Sequence, residues 1–153
     1  VIFAAVCKGE TDQTNALALA LSSSAERHLE TTSLGAAFKI AASVFVKADW
    51  PDSEDLAYPV AAATACHAMK IEPDQALLAF LQGFSNALIS VAVRLVPIGQ
   101  TAGLNIMRDL MPIIAETADR ASRATLADLG SCAFMSDIAA MKHQTLQPRI
   151  FRT

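Results

Sequence analysis

Aromatic residues are scarce in this chain: one Trp, one Tyr and seven Phe make up 6% of 153 residues. Prolines and glycines are equally sparse, at six each. A sandwich or barrel of many short strands needs frequent turn formers, so this shortage argues against a multi-stranded fold. Cysteines number three, an odd count. Cys7, Cys66 and Cys132 have no close spacing, so they define neither a disulfide framework nor a zinc ribbon, and a reducing cytoplasm fits them best. The chain has no G-x-S-x-G elbow, no phosphate-cradling glycine loop and no dinucleotide fingerprint.

What fills the space is aliphatic. Hydrophobic residues are 53% of the chain, mostly Ala, Leu, Ile and Val, which points to packed helices around one core. The formal net charge of −3 argues against a nucleic-acid partner. Its distribution says more. From Ile138 to Thr153 there are three basic groups (Lys142, Arg149, Arg152) and no acid, while residues 1–137 hold nine basic and fifteen acidic groups. An acidic body with a basic end suggests an end that meets something. The start, "VIFAAVCKGE", has no initiator methionine and lacks the basic, long-apolar pattern of a signal peptide, so the chain reads as a piece of something longer.

Helix signals follow in order. Val1–Lys8 reads as the end of a helix stopped by Gly9. Thr11 or Asp12 caps a second helix closing near Leu21. Ser23 and Glu26 stand at capping-box spacing, and a long helix over residues 25–49 is expected to follow. Its expected inner side is Leu29, Thr32, Ala36, Ile40 and Ser43, with Ala37, Ala41 and Phe45 adjoining. Small residues at Ser33, Gly35, Ala36 and Ala37 would admit a second helix closely. Pro59 and Pro73 each suit the first turn of a helix. The run from Asp74 to Val96 is apolar almost all round; interrupted by Gln82, Ser85, Asn86, Ser90 and Arg94, it reads as a central core helix rather than a membrane span. Thr101 can cap a helix to about Ser122, bent at Pro112. Ser131 can cap a last helix over 132–143, and Pro148 lies in an extended tail over 144–153. The expected fold class is all-α: one compact helical bundle around a central apolar helix, over 1–153.

Chemistry is thin. His28, His67 and His143 lie in different segments, and none has a His or Cys at i+3 or i+4. Cys66 and His67 are neighbours that point about 100° apart on a helix, a poor chelate. The "PDSED" carboxylates read as a solvated turn. No catalytic constellation, cofactor or metal site can be nominated.

Two stretches carry a resemblance. "AVRLVPIGQTAG" (92–103) and "DLGSCAFMSDIAAMKHQTLQPRIFRT" (128–153) resemble the signature segments of the UreF family of urease accessory proteins. The likeness runs residue by residue through Arg94, Pro97, Gly99, Gln100, Thr101 and Gly103. It resumes at Asp128, Gly130, Ser131, Asp137, Met141, His143, Thr145, Arg149, Phe151 and Arg152. Departures are Lys142 for arginine, Gln144 for glutamate, and Leu146–Pro148, which puts Gln147 where the family has tyrosine. The family's N-terminal part is missing.

The resemblance implies an all-helical, cytoplasmic, non-enzymatic protein, usually a homodimer. It implies binding to a UreD/UreH-type accessory protein and recruitment of a UreG-type GTPase. Through that complex it implies docking on apo-urease for nickel insertion. Lys142, His143, Thr145, Arg149, Phe151 and Arg152 would then meet the partner, Phe151 as the apolar anchor. Asp137 and His143 would hold the last helix against the body near the 94–103 corner. Two rival readings are a nickel carrier using Cys66, His67, Cys132 or His143, and an unrelated α-helical ligand-binding module.

Overall fold

The computed structural model describes residues 1–9, 11–130 and 133–147. Among these it shows seven α-helices and no strand, an all-α fold. The helices are α1 (Ile2–Cys7), α2 (Asp12–Ala20), α3 (Ala25–Ala42), α4 (Tyr58–Ala68), α5 (Pro73–Leu95), α6 (Gly99–Arg123) and α7 (Phe134–His143). A 3₁₀ turn at Leu126–Asp128 links the last two, closed by a capping box between Thr125 and Asp128.

The central helix is α4, not α5 as the hydropathy of the sequence suggests. Val60 to Ala65 of α4 are all buried. Alanine brings helix axes close, and α1, α3 and the start of α5 all pack on α4. One side of this core is closed by aromatic rings in series. Phe3 lies 4.7 Å from Phe80, Phe80 5.6 Å from Tyr58, and Tyr58 5.7 Å from Phe38. Helix α5 buries only Ala76 and Leu77. Beyond them it pairs with α6 in a long hairpin, and the row Phe84, Leu88, Val91, Leu95 on its other side stays exposed. Hydropathy marked α5 as apolar, but enclosure depends on how many neighbours a helix has.

Four other expectations are corrected. The cap of α3 is Ser24, whose hydroxyl accepts from the Arg27 N–H at 3.2 Å, and Ser23 is turned elsewhere. Helix α3 stops at Ala42 instead of running to Asp49. The sequence Ser-Val-Phe-Val that follows is poor in helix propensity, and with Val44 and Phe45 exposed no packing overrides that. The inner side of α3 is Thr31, Gly35, Phe38 and Ala42; Leu29, Ala36 and Ile40 face out. Helix α6 begins at Gly99, so Thr101 lies inside it rather than capping it.

Helix α4 ends in a Schellman motif. The Ile71 N–H reaches the Cys66 carbonyl at 3.0 Å and the Lys70 N–H the His67 carbonyl at 2.9 Å. Lys70 therefore sits at φ 56°, where a Cβ is unfavourable. Lys70→Gly should raise stability by about 0.5–1 kcal/mol, read as a higher urea midpoint at unchanged slope.

Candidate partner-binding site

The corner between α5 and α6 has a structural reason for three of its signature residues. Pro97 follows the end of α5 and cannot continue it. Gly99 sits at φ 74°, a conformation that a side chain disfavours. Gly103 is buried; a Cβ there would stand 2.9 Å from Val93 Cγ2 and 3.2 Å from Ile89 Cγ2, so its absence sets how closely α6 crosses α5. Arg94, Gln100 and Thr101 are exposed. Arg94 lies in the last turn of α5, where a cation favours the negative helix end.

The last helix is built differently from every other. None of its residues is buried. Its bonds to the body run to the start of α3, not to the 94–103 corner. The Ser23 hydroxyl donates to Asp137 Oδ1 at 2.8 Å, and Arg27 Nη2 donates to Ser136 Oγ at 3.1 Å. His143 Nδ1 donates to Glu26 Oε2 at 2.6 Å, since a carboxylate can only accept. With its amide oriented to suit these donors, Gln144 accepts from the Ala25 and Glu26 N–H groups at 2.9 and 3.2 Å. Ser24 caps the next N–H, so the first turn of α3 is completed jointly by its own serine and by a side chain just past α7.

The side of α7 that adjoins Asp137 and lies away from Ser136 and His143 is apolar. Phe134, Met135, Ile138 and Met141 are 68%, 79%, 45% and 49% exposed. Phe134, Ile138 and Met141 recur at four- and three-residue steps, which puts them in one row with Met135 beside it. An amphipathic helix ordinarily turns this row inward. Here the polar side faces the body.

Of the residues singled out by sequence, Asp137 and His143 are brought together on this docked side. Lys142 and Thr145 are exposed, and the Thr145 hydroxyl donates to the Lys142 carbonyl at 2.9 Å. The chain from Gln144 to Leu146 turns, through Thr145 N–H to Lys142 and Leu146 N–H to His143, where an extended tail was expected. Arg149, Phe151 and Arg152, and likewise Ser131 and Cys132, lie outside the described residues. Ser23, Glu26 and Arg27 were not foreseen as contacts of α7. They are more than a hundred residues away in sequence, and their serine-glutamate pattern is fully accounted for by helix capping.

Metal and nucleophile chemistry find little support. Among the described residues no three of His, Cys, Asp and Glu converge. Burial pushes the Cys7 thiol up to about 11 and raises that of Cys66, so both stay protonated and poorly nucleophilic near neutrality. His67 Nδ1 is committed to the Cys7 carbonyl at 3.0 Å. A cleft of about 270 Å³ is lined by Asn15, Leu19, Pro51 and Asp52. Another of about 260 Å³, between the ends of α3 and α4, is walled by Phe38, Phe45, Cys66 and Met69. Neither pairs a nucleophile with a base.

Comparison with known proteins agrees with the signature segments. The family model described as UreF matches residues 2–111. The chain is 43% identical over 155 residues to "Urease accessory protein UreF 1" of Brucella anthropi, an alignment covering 97% of this chain and 66% of that protein. It is 43% identical over 151 residues to "Urease accessory protein UreF" of Mesorhizobium japonicum, covering 95% and 66%. For the protein of that name in Ruegeria pomeroyi the figures are 44% over 146 residues, covering 94% and 65%. The chain thus spans just under two thirds of the length of these relatives.

Proposed function

The chain belongs to the UreF family of urease accessory proteins, and from that premise we propose that it is a non-catalytic scaffold for urease maturation. In this reading it binds a UreD/UreH-type accessory protein through α7 and the chain end, recruits a UreG-type GTPase and acts on apo-urease through that complex. Nickel is the cargo of the assembly rather than a resident cofactor. The same reading makes the protein cytoplasmic and a homodimer.

The observation that supports it is the outward apolar row of α7, continued in sequence by a basic end. Desolvating Phe134, Met135, Ile138 and Met141 in a partner's groove would supply most of the affinity, at roughly 25 cal/mol per Å² of apolar surface removed from water. Lys142, Arg149 and Arg152 would steer the approach and fix register against acidic groups. Phe151 is the natural anchor of the terminal segment.

Deleting residues 144–153 should abolish co-purification with the UreD-type subunit, and unchanged recovery would refute the assignment. Arg149→Ala with Arg152→Ala should weaken binding about tenfold or more at low salt and flatten its salt dependence. A double variant as tight and as salt-sensitive as the parent would remove the charge component.

A further inference from the structure

A helix that docks by its polar side and leaves its apolar side in water is held against its own preference. Ten residues are too few for a stable isolated helix. Nothing in α7 is buried, and among the described residues it is tied to the start of α3 by five hydrogen bonds made by three of its side chains and by Gln144 just beyond it. Each such bond contributes only modestly, because it replaces a bond to water. The docked state of α7 is therefore marginal, at the low-stability end of the molecule. Without these bonds the apolar row has two outlets: the helix rolls to bury it against the body, or it frays.

The bonds are arranged to prevent rolling. Ser136 and His143 are seven residues apart on α7, as are Asp137 and Gln144, so the contacts form two rungs along one side over two turns. Ser23 and Arg27 grip the first rung, and Glu26 with the first N–H groups of α3 grips the second. Each rung grips two adjacent residues about 100° apart around the axis, which opposes rotation, and the second rung repeats the grip two turns on. The apolar row faces away from Ser136 and His143 and adjoins the edge formed by Asp137 and Gln144.

We propose that Ser23, Glu26 and Arg27 at the start of α3 are positioning residues for partner binding. They hold α7 rolled outward so that its apolar row is presented ready-made to an apolar groove with an acidic rim. An acidic rim complements residues 138–153, which carry three cations and no anion. This inference rests on the reading that α7 and the chain end meet the UreD-type subunit. It adds that three residues outside the contact govern the affinity. Preorganisation of this kind lowers the ordering cost of association.

The test uses one double variant and two readouts on the full chain, with a conservative variant and an outer-row variant as controls. In Ser23→Ala/Glu26→Ala, amide hydrogen exchange across α7 should accelerate tenfold or more in the free protein. The Kd for the purified UreD-type subunit should rise about tenfold, with the exchange of α4 unchanged. Glu26→Gln, which keeps an acceptor for His143, should restore most of the affinity in the Ser23 wild-type background. Met135→Asp on the outer row should abolish binding with no change in α7 exchange. Faster α7 exchange with wild-type Kd in the double variant overturns the positioning role while leaving the scaffold reading intact. Unchanged exchange overturns it as well, and so does tighter binding, which would make the contacts inhibitory. Failure of the wild type itself to bind removes the reading beneath it.

Discussion

Gly35→Ala should cost at least about 3 kcal/mol and lower Tm by roughly 10 °C or more, enough to deplete the soluble protein at 37 °C. A Cβ built on Gly35 would lie 1.9 Å from the Leu56 carbonyl oxygen, 2.9 Å from its carbon and 3.1 Å from the Tyr58 nitrogen. All three are backbone atoms, so no rotamer change relieves the clash. Leu56 and Ala57 are buried at the entry to α4, and Thr31, one turn before Gly35, accepts from the Tyr58 N–H at 3.1 Å. Helix α3 thus grips residues 56–58 with a hydroxyl and a missing side chain. Relief would require α3 to move off α4, breaking the Thr31 contact and opening the core around Phe38 and Tyr58.

An internal comparison fixes the sign. Alanine is favoured over glycine in a helix by up to about 1 kcal/mol. Gly83 lies inside α5 with open space around its would-be Cβ. Gly83→Ala should therefore stabilise the protein by about 0.5–1 kcal/mol, while the same change at Gly35 does the opposite. Parallel urea titrations would show this as midpoints shifted in opposite directions. A Gly35 variant as stable as the parent would mean that α3 and α4 do not cross as described.

The contrast between these glycines shows what the sequence could convey. Small residues at 33, 35, 36 and 37 announced a close approach somewhere on α3, but only Gly35 meets a neighbour, and the others face outward. Choosing among them requires the rotation of the helix about its axis. That rotation is set by Leu56–Tyr58, more than twenty residues on. The all-α class was legible from composition because alanine-rich, turn-poor sequence has few other outlets. The identity of the central helix was not: α4 is short and owes its burial to neighbours, whereas α5 is more apolar and owes its exposure to having mainly α6 beside it. At the candidate site, Asp137 and His143 were singled out from the signature segment. Their counterparts Ser23 and Glu26 were read as caps, a role that explained them locally and left no residual signal of a long-range contact.

Asn15→Ala should be the next most damaging change, at about 3 kcal/mol, because it strands two backbone groups at once. Asn15 is 2% exposed and bridges α2 to the segment that leads into α4. Its Nδ2 donates to the Asp55 carbonyl and its Oδ1 accepts from the Ala57 N–H, each at 2.9 Å. Ala57 is fully buried and is the N-cap position of the central helix, with no side-chain oxygen of its own to offer. Truncation leaves that N–H inside the protein without its acceptor, adds the unpaired carbonyl and opens a void. Asn15→Asp separates the two halves of the bridge. A carboxylate still accepts from Ala57 but places a buried anion against the Asp55 carbonyl, so near neutrality this variant should also be strongly destabilised. Once protonated, the introduced carboxyl can again donate to the Asp55 carbonyl while accepting from Ala57. Burial raises the pKa of that carboxyl in the folded state, so folding takes up a proton and the variant should recover relative to the parent as pH falls from about 7 toward about 5. Asn15→Ala has no proton to gain and should keep a constant deficit across that range. Equal deficits for both variants at either end of it would show that the bridge contributes by packing alone.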